Sequence, residues 1–155
     1  MITKQPVQID SFDLKQLQDH ARTCYPEEAC ALLVGEARTD GSYRVTEVAV
    51  CDNVASDKGR FFEVDPALRI LLEKKLRNSS QRVLGVYHSH PDGQAMPSET
   101  DRKMVIEQDL LWLISSVDQQ EIVETRVFLP TGAGDFRELA LVQRETDGKD
   151  LDDEN

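Results

Sequence analysis

The segment that most constrains this chain is a short apolar stretch that leads directly into two histidines. Arg82–Tyr87 (RVLGVY) has the composition of a buried strand, and His88-Ser89-His90-Pro91 follows it without a break. Because side chains two residues apart in an extended segment point to the same face, the two imidazoles can converge on one ion. Asp101, eleven residues after His90, adds a carboxylate if the intervening loop folds back. The alternative for the histidines is a pair of surface residues near a turn.

Two imidazoles and one carboxylate predict an open metal site. Structural zinc normally takes four protein ligands, so three leave a position for water or substrate, as is typical of zinc hydrolases. The same donors also suit manganese or non-haem iron. Asp101 can alternatively serve in the first turn of a helix that Ser98 caps, and this role is compatible with metal binding.

A hydrolase of this kind also needs a side chain that takes a proton from the attacking water. Glu27 and Glu28 directly precede an apolar run, Ala29–Gly35 (ACALLVG), which is typical of a buried strand. Spacing alone does not choose between the two glutamates, and a solvated acidic turn is the alternative for both.

Composition restricts the classes of partner. The chain has 155 residues and a net charge of −11, with no cluster of lysine and arginine that would neutralise nucleic acid. A basic protein partner stays open, and the alternative is that acidity only maintains solubility, for example in a high-salt cytoplasm. No apolar run approaches the ~20 residues of a membrane span. We therefore expect neither nucleic acid nor membrane as a partner, and the oligomeric state stays open.

Cysteine usage and the N-terminal sequence indicate a cytoplasmic protein. The N-terminus lacks the basic start and apolar block of a secretory signal. The three cysteines, Cys24, Cys30 and Cys51, have no CxxC spacing, which fits a reducing compartment. We interpret each of them as a small buried hydrophobic residue. His20, in the first predicted helix, is expected to have no partner side chains and is assigned no role.

The order of predicted elements favours a mixed sheet layered with helices, an α/β or α+β fold. We expect one domain over residues 1–144 and an acidic disordered tail over residues 145–155. The predicted helices are Ser11–Tyr25, a segment that begins at Asp65-Pro66, and Ser98–Gln108. The predicted strands are Ala29–Gly35, Tyr43–Cys51, Phe61–Val64, Arg82–Tyr87, Leu110–Val117, Ile122–Leu129 and Phe136–Gln143.

His88-Ser89-His90-Pro91, with Ser98 eight positions after the second histidine and Asp101 three further on, resembles the JAMM motif of the MPN (Mov34/PAD-1) metallopeptidases. Pro26–Gly35 resembles the upstream block of that family, in which a glutamate precedes a strand of small residues and leucines. Asn53, Phe61 and Asp65-Pro66 also match the compact prokaryotic members, and the resemblance extends from about residue 10 to 143. Ala31 departs from it, because many members have glycine there.

The resemblance implies a cytidine-deaminase-like mixed β-sheet packed with helices and one zinc ion per chain. It assigns His88, His90 and Asp101 to the metal, and Glu28 to proton transfer, first as general base and then as acid. It assigns Ser98 to hydrogen bonding of the oxyanion. We expect the intervening serine of the motif to orient the loop. Deaminase chemistry is disfavoured because the chain has no Pro-Cys-x-x-Cys pair, and the absence of HExxH excludes the zincin plan.

The resemblance further implies a small stand-alone peptidase or isopeptidase that cuts after the C-terminal Gly-Gly of a ubiquitin-like sulfur-carrier protein. The alternatives are a non-catalytic MPN scaffold and a purely structural zinc protein. The turn Asp118–Glu121 is short, so we expect no large substrate-clamping insertion there.

Overall fold

The computed structural model describes residues 5–132 and 134–145, so the predicted acidic tail lies almost entirely outside the described residues. Eight strands and three helices make up this part of the chain. In order, they are β1 (Val7–Asp10), α1 (Ser11–Cys24), β2 (Cys30–Ala37), β3 (Tyr43–Cys51), α2 (Pro66–Lys75), β4 (Arg82–Pro91), α3 (Glu99–Met104), β5 (Leu111–Asp118), β6 (Glu121–Gly132), β7 (Asp135–Leu139) and β8 (Leu141–Arg144).

All eight strands belong to one mixed sheet, in the order β7-β6-β5-β4-β2-β3-β1-β8. β4 pairs with β5 in parallel, and β1 is parallel to both of its neighbours, while the other pairs are antiparallel. The predicted class, a mixed sheet packed with helices, is therefore confirmed.

The centre of the sheet is covered on both faces, which explains the continuous apolar runs of its strands. β2 and β5 each have one to two exposed or half-exposed residues, all at the C-terminal end. Helix α1 covers one face with Leu14, Leu17 and Ala21. Helix α2 covers part of the other face with Leu72, and its N-terminus is capped by Asp65, as the sequence predicts.

Gly85 sets the close approach of β4 to β5. A Cβ atom at this position would lie 2.2 Å from the carbonyl oxygen of Leu111 on the neighbouring strand. Only glycine therefore allows β4 to pair with β5 in this register, and the pairing continues through the histidines, with His88 opposite Ile114.

The structure corrects several predicted bounds. The predicted strand Phe136–Gln143 breaks at Ala140, where β7 at one edge of the sheet gives way to β8 at the other. The helix that begins at Glu99 ends at Met104, because Val105 has extended backbone and packs into the cluster around Trp112. Residues 61–64 form no strand and contribute a single bridge, between Asn53 and Val64.

The turn between β5 and β6 is as short as the sequence predicts. Only Gln119 and Gln120 separate the two strands, and both have positive φ, at 51° and 69°, as a two-residue hairpin turn requires. No substrate-clamping insertion is present at this point of the chain. Within residues 5–132 and 134–145, no helix is both long and apolar enough to cross a membrane.

Candidate active site

The last residues of β4 place two histidines side by side in a buried setting. His88 and His90 are 0% and 9% exposed, and their ring centroids lie 4.7 Å apart. His88 is held between neighbouring strands, opposite Cys30 on β2 and Ile114 on β5. The predicted convergence of the two imidazoles on one face follows from their spacing on this strand.

His88 is a neutral imidazole in an aromatic setting. Its ring lies 4.2 Å from that of Phe62 and 5.4 Å from that of Trp112, centroid to centroid. Burial lowers its pKa to about 3, which outweighs the opposing effect of Asp101. Neither ring nitrogen makes a hydrogen bond to the described residues. A neutral, buried and unpartnered imidazole is well suited to bind a metal.

The ring of His90 is oriented by a backbone hydrogen bond. Its Nδ1 lies 2.7 Å from the carbonyl oxygen of Gln94, so Nδ1–H donates and the lone pair of a neutral ring is left on Nε2. Nε2 lies 3.1 Å from Oδ2 of Asp101. Burial by itself lowers the pKa of His90, but in the protonated ring both nitrogens donate, to Gln94 and to Asp101, and these hydrogen bonds outweigh burial and raise the pKa. A backbone carbonyl on the second nitrogen is a common outer-shell partner of a metal-binding histidine.

Asp101 combines the two roles that its sequence position allows. Its Oδ2 accepts from the backbone N–H of Ser98 at 2.9 Å, while the hydroxyl oxygen of Ser98 accepts from the Asp101 N–H at 3.0 Å. The same Oδ2 lies 3.4 Å from Nε2 of His88. Burial would raise the pKa of Asp101, but the hydrogen bond from His90 and the other favourable contacts lower it. The capping box of α3 thus presents a charged carboxylate to both imidazoles.

Of the two candidate glutamates, only Glu28 faces the cluster. Glu28 is buried whereas Glu27 is exposed. One ligand atom each from Glu28, His88 and His90 lie within 4.8 Å of one another. Burial raises the pKa of Glu28 to about 7, with the nearby Asp101 also raising it and His90 lowering it. Such a pKa suits a group that accepts and then donates a proton near neutral pH.

Backbone contacts fix Glu28 from both sides. Its N–H donates to the carbonyl oxygen of Lys58 at 2.7 Å, and its carbonyl oxygen accepts from Nδ2 of Asn53 at 3.0 Å. The next residue, Ala29, donates its N–H to Oγ of Ser89 at 2.8 Å, so the serine between the two histidines ties their strand to Glu28. The role of Asn53 was missed from the sequence. The only signal for Asn53 in the sequence was that the compact prokaryotic members of the family carry a similar residue at this position.

The donor atoms fit a tetrahedral divalent metal. With zinc bonds of ~2.0–2.1 Å, tetrahedral ligand atoms lie about 3.3–3.4 Å apart. Oδ2 of Asp101 lies 3.1 Å from Nε2 of His90 and 3.4 Å from Nε2 of His88. Two imidazole nitrogens this close to one carboxylate oxygen are accommodated by a proton on Nε2 of His90 or by a cation between them. The buried cluster thus has the geometry and the charge of a cation site.

Ser98 lies at the wall of a cleft that leads to this cluster. Its Oγ accepts from the Asp101 N–H, which leaves the hydroxyl hydrogen free to donate. The cleft has a volume of about 420 Å³ and is open to solvent. Its lining residues are Glu28, Gly59, Arg60, His90, Pro91, Gly93, Gln94, Met96, Pro97 and Ser98.

Two interpretations from the sequence need correction. His20 does have partners, because its Nε2 lies 3.0 Å from the carbonyl oxygen of Cys51 and its Nδ1 lies 3.9 Å from Sγ of Cys24. Only Cys30 is buried, whereas Cys24 and Cys51 are half-exposed. The reason is their position at the ends of elements. Cys24 is the last residue of α1, and Cys51 is the last residue of β3, where neighbouring segments do not fully cover the strand.

An open pocket of imidazole and carboxylate donors, at the end of a central strand of a mixed sheet, is the arrangement expected of a metal-dependent hydrolase. Known proteins agree with this assignment. The model for prokaryotic homologs of the JAB domain matches residues 13–128. A desampylase of Haloferax volcanii is 32% identical over 119 residues, which cover 75% of this chain and 78% of that protein.

Two further relatives have similar extent. The CysO-cysteine peptidase of Mycobacterium tuberculosis is 26% identical over 109 residues, or 70% of this chain and 72% of the peptidase. A solution structure of a Desulfitobacterium hafniense protein has a TM-score of 0.77 and 27% identity, covering 90% of this chain and 94% of that one. The chain belongs to the prokaryotic JAB family of JAMM/MPN metallopeptidases, and it is a hydrolase.

Proposed function

We propose that this protein is a zinc-dependent peptidase or isopeptidase whose metal is held by His88, His90 and Asp101. The observation that carries the proposal is the convergence of Nε2 of both histidines on one carboxylate oxygen, at 3.4 and 3.1 Å. Glu28 also reaches this cluster. We assign it to proton transfer because its carboxylate lines the open cleft, whereas Asp101 is more deeply buried and is fixed by the capping box.

Each side chain of the site has a separate role in the proposed reaction. A bound zinc ion would polarise the scissile carbonyl and lower the pKa of a coordinated water. Glu28, with a pKa near 7, takes a proton from the attacking water and passes it to the leaving amine. Ser98 donates its free hydroxyl hydrogen to the oxyanion. Phe62 and Trp112 pack against the ring of His88, which is fully buried.

We propose that the substrate is a ubiquitin-like protein whose C-terminal Gly-Gly tail enters the cleft. Two relatives support this class of substrate, since one is a desampylase and the other a CysO-cysteine peptidase. Gly59 and Gly93 add no side chain to the cleft wall, which leaves room for an extended, slender tail. The strongly acidic surface favours a carrier protein with basic groups around its tail. We place this reaction in the cytoplasm.

Metal analysis combined with a matched pair of glutamate variants tests the proposal. The purified protein is assayed by elemental analysis and then incubated with ubiquitin-like proteins that carry short extensions after Gly-Gly, with mass spectrometry of the products. We expect one zinc ion per chain and cleavage directly after the second glycine. Glu28→Gln should keep zinc and lose turnover, whereas Glu27→Gln, one residue away and exposed, should behave like the wild type.

Two outcomes would contradict the assignment. A Glu28→Gln variant with near-normal turnover would show that another group moves the proton. Zinc binding without cleavage of any extended Gly-Gly substrate would instead favour the non-catalytic scaffold.

A further inference from the structure

The three cysteines of the chain gather beside the active site, although they are far apart in sequence. Cys30 and Cys51 are directly opposite each other in the antiparallel pairing of β2 with β3. Their sulfur atoms lie 3.7 Å apart. Cys24 lies near the same place, because His20 contacts both the sulfur of Cys24 and the carbonyl oxygen of Cys51.

The backbone at Cys30 and Cys51 already has the spacing of a disulfide. Residues directly opposite in an antiparallel pair have Cα atoms ~4.5–5.5 Å apart, inside the ~4.4–6.8 Å range of disulfides. Since the bond length is ~2.05 Å, the two sulfurs must approach by about 1.6 Å. Rotation of the two side chains covers part of this distance, and a small shift of β2 toward β3 covers the rest.

We propose that Cys30 and Cys51 are a site of reversible oxidation, forming a disulfide that slows the hydrolase. The oxidant is a small-molecule disulfide such as oxidised glutathione. Cys51 is half-exposed and reacts first: its thiolate attacks one sulfur of the oxidant and releases one thiol. The thiolate of Cys30 then attacks the Cys51 sulfur and displaces the second thiol. One disulfide is consumed, one is formed, and the two thiol protons end on the two released thiols.

The location of the pair links its oxidation to the active site. Cys30 lies two residues after Glu28 and pairs with His88 on its other side. β2 lies between β3 and β4. Shortening the distance between Cys30 and Cys51 therefore draws the start of β2 toward β3 and away from the histidines. Cys51 lies two residues before Asn53, which holds the carbonyl oxygen of Glu28. This effect on turnover depends on the proposed function, whereas the disulfide itself does not.

Peptide mapping under defined redox conditions tests the pair. The metal-loaded protein is equilibrated in mixtures of reduced and oxidised glutathione, alkylated, digested without reductant and analysed by mass spectrometry. We expect a linked peptide pair containing Cys30 and Cys51, with a loss of two hydrogen atoms. It should form in the wild type and in the matched control Cys24→Ser, and be absent from Cys51→Ser.

Turnover is measured on the same samples before and after dithiothreitol. We expect a several-fold loss on oxidation that dithiothreitol reverses, in the wild type and in Cys24→Ser but not in Cys51→Ser. Alkylation of all three cysteines in every mixture, or a link between Cys24 and Cys51 instead, would overturn the site. A linked Cys30–Cys51 pair with unchanged turnover would overturn its regulatory effect and leave the proposed hydrolase function standing.

Discussion

Replacing Asn53 tests whether the loop after β3 sets the position of Glu28. The amide nitrogen of Asn53 donates to the carbonyl oxygens of Glu28 and Phe61, at 3.0 and 2.9 Å. Its Oδ1 accepts from the backbone N–H groups of Ala55 and Glu63, both at 3.0 Å. Asn53→Asp preserves the shape and both accepted hydrogen bonds. It removes both donated ones and places a negative charge against two carbonyl oxygens.

The cost follows from the hydrogen bonds that each substitution removes. A buried hydrogen bond between neutral groups contributes about 1 kcal/mol net, and an abandoned buried carbonyl costs about 1–3 kcal/mol. We therefore expect Asn53→Asp to lower the free energy of unfolding by at least about 2 kcal/mol. Asn53→Ala removes all four hydrogen bonds and should cost about 4 kcal/mol.

The Asn53→Asp variant should also acquire a pH dependence with a definite sign. Burial beside two carbonyl oxygens raises the pKa of the new carboxyl in the folded state above its unfolded value. The carboxyl is therefore best tolerated below its unfolded pKa, and stability is lost as the pH rises through the folded pKa. The deficit relative to the wild type should be larger at pH ~8 than at pH ~5.

Urea unfolding at both pH values, with turnover measured alongside, checks these expectations. Asn78→Asp makes the same chemical change at an exposed position of positive φ after α2, so it should cost much less stability than Asn53→Asp and leave turnover unchanged. Both Asn53 variants should lose turnover in the folded protein, because the carbonyl oxygen of Glu28 loses its hydrogen bond from Asn53 while the bond from the Glu28 N–H to Lys58 remains. An Asn53→Asp protein with wild-type stability and turnover would refute the reasoning.

Three other substitutions separate the metal, the oxyanion contact and the fold. Ser98→Ala should slow turnover by about 10²–10³-fold with zinc retained; loss of metal in elemental analysis would instead make Ser98 structural. His88→Ala should abolish stoichiometric zinc, whereas His20→Ala should keep it, and equal metal contents would remove His88 from the ligand set. Gly85→Ala should destabilise by about 3 kcal/mol or more, because its Cβ would lie 2.2 Å from a carbonyl oxygen. Gly132→Ala, with nothing within 4 Å, is the neutral control, and equal urea midpoints for the two would contradict the close approach.

The sequence indicates which side chains form the candidate site more clearly than it indicates the hydrogen bonds that hold those side chains in place. His88 and His90 follow an apolar strand, so their shared direction could be deduced from strand geometry alone. Residue spacing alone could not choose Glu28 over Glu27, because the choice depends on which of two adjacent side chains turns inward, and only the family resemblance selected Glu28. The loop from Asn53 decides this through contacts with the backbone of Glu28. Hydrogen bonds between distant loops leave no periodic pattern in a sequence.

A strand could be predicted where its own residues form an apolar run. It could not be predicted where it exists only because neighbouring strands pair with it. The central strands have long apolar runs, so the sequence indicated them. β1 has four residues, too few for a periodic signal, and exists because β3 and β8 pair on either side of it. The break at Ala140 has the same origin. Its carbonyl oxygen accepts from Val7 at 2.8 Å, and the chain passes from one edge of the sheet to the other.

Burying the titratable side chains of the site lowers the stability of the fold. This loss of stability indicates that the side chains serve a function. Both ring nitrogens of His88 and Oε1 of Glu28 are buried without a hydrogen-bond partner among the described residues. Such groups destabilise a protein unless a ligand satisfies them. His88 lies in the last part of β4, still paired with β5 but beyond the apolar residues around Gly85, and Glu28 lies just before β2. Stability and chemistry thus reside in different segments of one strand. Substitution of His88 can therefore remove the metal while the sheet persists, whereas substitution of Gly85 must disturb both.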